Sequence, residues 1–109
     1  MALDLVKKTA GDLWQVELSG RLDAVEAPGM EQELADIPAG IKALELDFTN
    51  VNYIASAGLR SLLILKKQAA KRDIRIIIKN PQQAVMEVFD ITGFGNYFEI
   101  IYAEQEASA

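Results

Sequence analysis

The sequence predicts a single α/β domain with a mixed β-sheet flanked by helices. Segments in which apolar and polar residues alternate, as in a half-buried strand, are interspersed with segments in which apolar residues recur every three to four positions, as in an amphipathic helix. Their order is strand, strand, helix, strand, helix, strand, helix, strand. A helix between two strands usually forms the crossover between parallel neighbours, so we expect a parallel pairing wherever a helix connects two strands.

The first two strands are predicted over Leu3–Thr9 and Leu13–Ser19, with a short glycine-containing connection between them. In the second strand apolar residues occupy every second position from Trp14 onward. This alternation is typical of a strand that has one face on the core.

The middle of the chain predicts a helix, a strand and a second helix. The first helix spans approximately Val25–Ile37, with Pro28 in its first turn, where the missing N–H costs nothing. Ala43–Phe48 alternates like a strand and is followed by a polar loop. The second helix spans about Ala57–Arg72, because its apolar residues form a broad stripe at helical spacing.

The last third of the chain predicts a strand, a helix and a final strand. Ile74–Ile78 is β-branched and almost continuously apolar, as expected of a strand covered on both faces. Asn80 is the expected N-cap of the third helix, with Pro81 at its first position, and Gly93 is its expected end. Phe98–Tyr102 is the last predicted strand.

Length and composition limit the possible functions. The 109 residues fit one domain, which we place at residues 1–102, followed by a C-terminal tail, 103–109, that is helical or disordered. The absence of Cys and His removes thiol and imidazole chemistry, Cys/His zinc sites and disulfides. The net charge of −5 argues against binding to nucleic acid. We therefore expect neither cofactor nor metal.

No apolar run approaches the length that a membrane span requires. The start of the chain also has an acidic residue where a signal peptide needs a basic segment followed by an apolar stretch. We expect a cytoplasmic protein without membrane insertion.

A candidate site lies at the start of the second helix. Ser56 is the expected N-cap, and Leu59 at the third helical position leaves no reciprocal capping box. Gly58 is costly in a helix, and close approach by another molecule is one reason to tolerate it. Arg60 lies one turn after Ser56 on the same face. A helix N-terminus favours a phosphate, so phosphorylation of Ser56 is a plausible off-switch for a partner.

These residues also have a purely structural interpretation, which the local pattern alone favours. Ser56 is then only a helix cap, Gly58 a packing accommodation and Arg60 a surface charge.

The same segment resembles the signature of STAS domains, in which a strand leads through an apolar pair to a serine-rich turn and Gly-Leu. Here residues 47–51 read Asp-Phe-Thr-Asn-Val, and Gly-Leu follows at 58–59. Residues 20–23 (Gly-Arg-Leu-Asp) resemble the family's Gly-x-Leu-Asp, and residues 27–28 (Ala-Pro) match a pair common in its first helix. Residues 85–94 are similar to its C-terminal helix and turn.

The resemblance implies a bacterial anti-sigma-factor antagonist that takes part in sigma factor regulation and has no enzymatic activity. Members of this type bind an anti-sigma factor that is also a serine kinase. The kinase phosphorylates a serine at the start of the second helix and is thereby released, and a PP2C-type phosphatase removes the phosphate. The implied protein is thus a phosphoprotein that works by partner switching.

The chain departs from the best-known family pattern at two positions. Ala57 replaces the usual modified hydroxyl and Ala55 replaces an aspartate, but other members read Ser-Ala-Gly-Leu-Arg, as this chain does. The resemblance therefore implies Ser56 as the phosphorylation site, with Thr49 as an outside candidate. It implies Asp23 at the partner-facing rim, whereas Asp47 is expected to bond within its own loop. The implied partner-binding set is Asp23, Thr49, Ser56, Ala57, Gly58 and Arg60.

Two other functions stay open at this point. One is a STAS subunit or scaffold of a transporter-associated or stress-sensing complex that phosphorylation does not control. A hydrolytic enzyme built on Asp23, Asp47 and Ser56 lacks an activating base and is the weakest alternative.

Overall fold

The computed structural model describes residues 3–102 as a five-stranded sheet with three α-helices. Residues 103–109, for which we predicted a tail, lie outside the described residues. The elements in chain order are β1 (Leu3–Ala10), β2 (Leu13–Leu22), α1 (Ala27–Leu34), β3 (Ala43–Ile54), α2 (Ser56–Ala70), β4 (Arg75–Lys79), α3 (Gln83–Thr92) and β5 (Glu99–Ile101), with a short 3-10 turn, Phe94–Asn96, before β5.

The sheet is mixed and its strands are arranged in sequence order, β1-β2-β3-β4-β5. β1 and β2 pair antiparallel across a tight connection, and the pairs β2–β3, β3–β4 and β4–β5 are parallel. The predicted order of elements and the predicted mixed sheet are both confirmed. Each parallel pair is joined through one helix, as the crossover rule requires.

The core lies on one face of the sheet. The inward-facing residues of the three central strands are fully or almost fully buried: Trp14, Val16, Leu18, Leu44, Leu46, Phe48, Ile76 and Ile78. Successive crossovers of the same hand that advance in one direction place their helices on the same face. The other face is formed by partly exposed polar residues, including Gln15, Glu17 and Glu45.

This arrangement corrects the expectation that β4 is covered on both faces. Ile76 and Ile78 are buried, but Ile77, which points to the opposite face, is only half-buried. A continuous β-branched run therefore does not require two covering layers. Here it combines one core face with a face that keeps contact with solvent.

β3 is longer than the sequence predicts, since it continues from Ala43 to Ile54 without the expected loop after Phe48. β4 pairs with β3 only as far as Asp47, but β2 continues beside β3 to its end. Two register shifts insert extra residues into this part of β3, so neighbouring residues such as Thr49 and Asn50 are both exposed. These bulges break the period of two, which is why the segment has the pattern of a loop.

The start of α3 also differs from the prediction. Asn80 has a φ of +56°, in the left-handed region, and its N–H donates to the carbonyl of Ile101 at 2.8 Å. The residue that precedes the helix in extended conformation is Gln82, so Asn80 is not the N-cap. The end of α3 is confirmed, because Gly93 follows it with a φ of +79°.

Candidate functional site

The carboxyl ends of β2 and β3 bring the two predicted site segments together. Leu22 pairs with Ile54 in the parallel ladder, and the N–H of Ala55 donates to the carbonyl of Leu22 at 3.0 Å. The loop after β2 and the first turn of α2 therefore lie side by side. We call the surface formed by residues 23–26 and 53–60 the rim.

Ser56 lies on the rim as the first residue of α2, and its side chain is exposed. The N-cap is Ala55, which is extended with φ −106° and ψ 172°, so the expectation that Ser56 caps the helix is wrong. The first helical hydrogen bond runs from the N–H of Leu59 to the carbonyl of Ala55 at 3.1 Å. Within the described chain the Ser56 hydroxyl has no hydrogen-bond partner, which leaves it available for modification.

The backbone N–H groups next to this hydroxyl give the site an electrostatic character. The first N–H groups of a helix have no partner within the helix, and they concentrate the positive end of its dipole. Arg60 is exposed one turn further along, and it forms no ion pair within residues 3–102. An anion attached to Ser56 would thus lie near a partial and a full positive charge.

Gly58 is buried, and the reason for glycine is internal packing. A Cβ placed on Gly58 would lie 2.7 Å from Cγ of Leu22, 2.8 Å from its carbonyl oxygen and 3.0 Å from Cγ1 of Ile54. The close approach is made by β2 and β3 of the same chain. This geometry agrees with the packing interpretation of Gly58 rather than with close approach by another molecule, and burial keeps the residue off the accessible surface. Ala57 beside it is half-buried against the core.

The carboxylate of Asp23 holds the other half of the rim in shape. Its Oδ1 accepts hydrogen bonds from the N–H of Val25 at 3.1 Å and from the N–H of Glu26 at 3.0 Å, and its Oδ2 lies 3.5 Å from Nε of Arg21. The Glu26 N–H, followed by the Val25 N–H and Arg21, holds the pKa of the Asp23 carboxyl below its usual range. Asp23 therefore fixes the loop that leads into α1.

We expect the lowered pKa of Asp23 to make folding sensitive to acid. The charged carboxylate favours the folded state above the unfolded pKa, and this contribution disappears as the pH falls through the lowered folded pKa, below about pH 4. In Asp23→Asn the charge is absent at every pH. The difference in unfolding free energy between wild type and Asp23→Asn should therefore be largest near neutral pH and shrink in acid.

Urea denaturation at a series of pH values measures this difference. Asp36→Asn is the control, because Asp36 is exposed and its side chain forms no hydrogen bond or ion pair within residues 3–102. A difference between wild type and Asp23→Asn that stays constant with pH would contradict the assigned role.

Sequence reasoning missed three side chains of this surface. The guanidinium of Arg21 lies 4.2 Å from the centre of the Tyr53 ring, across paired positions of β2 and β3. Val25 is 81% exposed in the loop that Asp23 holds. Because residues 49–55 had the pattern of a loop, no strand register was available to bring Arg21 and Tyr53 together.

Thr49 and Asp47 lie away from the rim. Thr49 precedes the end of β3 at Ile54 by roughly 16 Å along the strand. Its hydroxyl and its N–H both donate to Oδ1 of Asp47, at 2.6 and 3.0 Å. Asp47 thus bonds locally, as expected, and the structure does not bring Thr49 together with Ser56.

The serine that follows in α2 is inaccessible. Ser61 is 2% exposed, and its hydroxyl donates to Oε2 of Glu31 at 2.6 Å. Between residues 3 and 102 there is no cluster of three or more carboxylates that could hold a metal ion. In the same part of the chain no helix has the length and apolar character needed to cross a membrane.

Comparisons with known proteins agree with this fold. A STAS domain model matches residues 4–107. The chain is 32% identical over 93 residues to the putative anti-sigma factor antagonist BtrV of Bordetella bronchiseptica. This match covers 84% of this chain and 80% of BtrV.

Solved structures give the same picture. An anti-sigma factor antagonist from Mycobacterium paratuberculosis superposes with a TM-score of 0.82 at 23% identity, over 96% of this chain and 90% of that one. SpoIIAA in its unphosphorylated form superposes with a TM-score of 0.79 at 19% identity, over 95% of this chain and 92% of that one. The Bacillus SpoIIAA in its phosphorylated form superposes with a TM-score of 0.71 at 19% identity, over 95% of this chain and 96% of that one.

Proposed function

The chain belongs to the STAS domain family, and from that premise we propose that it is an anti-sigma factor antagonist whose partner binding is switched at Ser56. The antagonist function is supported by the names of its relatives, and such proteins are regulatory binding proteins rather than enzymes. In this proposal the rim of the unphosphorylated chain binds an anti-sigma factor that is also a serine kinase. A PP2C-type phosphatase restores the unmodified form.

The observation that carries the proposal is the free, exposed hydroxyl of Ser56 on a surface built from two strand ends. The hydroxyl is not engaged as a helix cap, so a kinase can reach it without breaking an internal hydrogen bond. Around Ser56 the rim offers a partner the exposed side chains of Val25 and Tyr53, and Arg21 of β2 stacks on the Tyr53 ring. Tyrosine and arginine are among the side chains that contribute most to protein–protein binding.

Phosphorylation would act on this surface without a change of fold. A phosphate on Ser56 adds nearly two negative charges, which the first-turn N–H groups and Arg60 can accommodate. A partner that packs on the neutral rim would then have to desolvate a hydrated dianion. The switch is therefore steric and electrostatic, and it acts at the contact surface itself.

The test is incubation with ATP and a serine-kinase anti-sigma factor from the same organism, followed by mass spectrometry. We expect a single phosphate on Ser56 in the wild type and none in Ser56→Ala. Binding to the kinase should be retained by Ser56→Ala and weakened about tenfold or more by Ser56→Asp, a loss of about 1.4 kcal/mol. Thr49→Ala is the matched control and should be modified and bound like the wild type.

Other outcomes separate the alternatives. A phosphate on Thr49 would overturn the site but keep the switch, whereas Ser61 is too buried to be modified in the folded chain. No modification, together with equal binding by Ser56→Ala, Ser56→Asp and wild type, would favour the scaffold or subunit function. That alternative draws its support from Ala55 and Ala57, which replace polar residues of the best-known pattern.

A further inference from the structure

The outer edge of β1 is the most conspicuous surface that the proposed function does not use. β1 pairs with β2 along its whole length, Leu3–Ala10, and it is the first strand in the sheet order. Among residues 3–102 no strand pairs with its other side. The N–H and C=O groups on such an edge are a ready template for pairing with another strand.

The side chains along this edge form a short self-complementary pattern. Asp4, Val6 and Lys8 point away from the helices, because they are opposite Ser19, Glu17 and Gln15 of β2, on the face that does not carry the core. Val6 is 61% exposed at the centre of the pattern. Asp4 and Lys8 are exposed on either side of it, and within the described residues neither forms an ion pair.

A second copy of the strand fits this pattern in one register. When two β1 strands run antiparallel with Val6 on the twofold axis, Asp4 of each copy lies opposite Lys8 of the other. A twofold interface makes every contact twice, so one favourable pair becomes two. Moving the axis to Asp4, Lys7 or Lys8 places two like charges opposite each other, and moving it to Leu5 places Asp4 opposite Val6.

We propose that the chain forms a symmetric dimer in which β1 pairs antiparallel with β1 of a second copy, centred on Val6 and held in register by Asp4 and Lys8. Backbone hydrogen bonds extend the two sheets into one, and the two valines pack across the axis. The opposite charges select the register. Like charges directly opposite each other destabilise a cross-strand pair.

The dimer leaves the rims free and is independent of the proposed function. The rim lies at the carboxyl ends of β2 and β3, and the twofold axis runs through β1 at the side of the sheet. Because the paired strands are antiparallel, the two rims point in opposite directions. Each dimer therefore presents two separate binding surfaces, one at each end.

The test is sedimentation velocity of the untagged full chain over a concentration range. A single pair of edge strands makes a small interface, so we expect a dissociation constant of about 10 µM to about 1 mM. Asp4→Lys and Lys8→Asp should each raise this constant about tenfold or more. The double variant Asp4→Lys/Lys8→Asp restores opposite charges across the axis and should return to within about threefold of the wild type.

Two further variants sharpen the experiment. Val6→Lys places two positive charges on the axis and should leave a monomer. Glu87→Lys changes the charge of an exposed residue on α3 and should leave the dimer unchanged. Circular dichroism of every variant confirms that the fold is kept, which is expected because all these side chains are exposed.

Three results would overturn the proposal. The first is a wild type that stays monomeric up to about 1 mM, where even a weak interface of this size would be populated. The second is a dimer that tolerates the single charge reversals, which would place the interface elsewhere. The third is a double variant that dimerises no better than the single variants, because the loss would then reflect general charge rather than the Asp4–Lys8 pairing.

Discussion

Replacing Phe89 with alanine is expected to lower the free energy of unfolding by about 3–5 kcal/mol. Phe89 is fully buried on the inner side of α3, and its ring centre lies 6.3 Å from that of Phe48 on β3. Removing the ring takes away an aromatic contact between helix and sheet. It also leaves a cavity, because Phe48 is itself enclosed and cannot move far enough to fill it.

Urea denaturation at neutral pH measures this loss, with the single tryptophan, Trp14, as a buried fluorescent reporter. Ile91→Ala is the matched control on the same helix. Ile91 is 85% exposed, so its truncation should change the free energy of unfolding by no more than about 0.5 kcal/mol. A loss below about 1 kcal/mol for Phe89→Ala would contradict the packing of α3 on β3.

The element order could be predicted because each element carries its own periodicity. The alternation of β2 and the helical stripe of α2 are local patterns, and neither depends on which strand lies beside which. The sheet directions then follow from the crossover rule. The fold class was therefore accessible from the sequence, and the structure confirms it.

The details that the sequence did not reveal depend on contacts between distant segments. β3 extends to Ile54 because β2 continues beside it, and its bulges conceal the strand pattern. Asparagine is a common helix cap, so the sequence pointed to Asn80. In the structure its N–H donates to Ile101 of β5 and its backbone is left-handed. Ile77 belongs to an apolar run, yet it is only half-buried, because no layer among residues 3–102 covers its face of the sheet.

In the candidate site, too, local features could be predicted from the sequence and contacts between distant segments could not. The sequence pointed to Ser56 at the start of α2 and to Asp23 after β2, and the structure places both on one rim. It could not reveal the Arg21–Tyr53 stack, which depends on the register of β2 and β3. It offered packing as one reason for glycine at position 58, but it could not identify the neighbour, because Leu22 is far away in the chain.

That contact leads to the second large effect, in Gly58→Ala. Alanine favours a helix over glycine by up to about 1 kcal/mol, so propensity alone predicts a more stable protein. The structure predicts the opposite, because the added Cβ would lie 2.8 Å from the carbonyl oxygen of Leu22 and 2.7 Å from its Cγ. We expect a net loss of about 1–3 kcal/mol in the free energy of unfolding, the usual cost of overpacking.

The same substitution should also disturb the rim. The Leu22 carbonyl that the new Cβ would crowd is the one that accepts the N–H of Ala55, which joins the two halves of the rim. Relief of the clash requires the first turn of α2 to move away from β2, and that movement displaces Ser56 from the Asp23 loop. Partner binding measured at a temperature where Gly58→Ala is fully folded should therefore be weaker than for the wild type.

Gly29→Ala separates this packing effect from helix propensity. Gly29 also lies in a helix, α1, but a Cβ there would meet nothing within 4 Å. We expect Gly29→Ala to be neutral or to stabilise the chain by up to about 1 kcal/mol. If Gly58→Ala were as stable as Gly29→Ala and bound the partner equally well, the close contact between α2 and the end of β2 could not be what fixes the geometry of the rim.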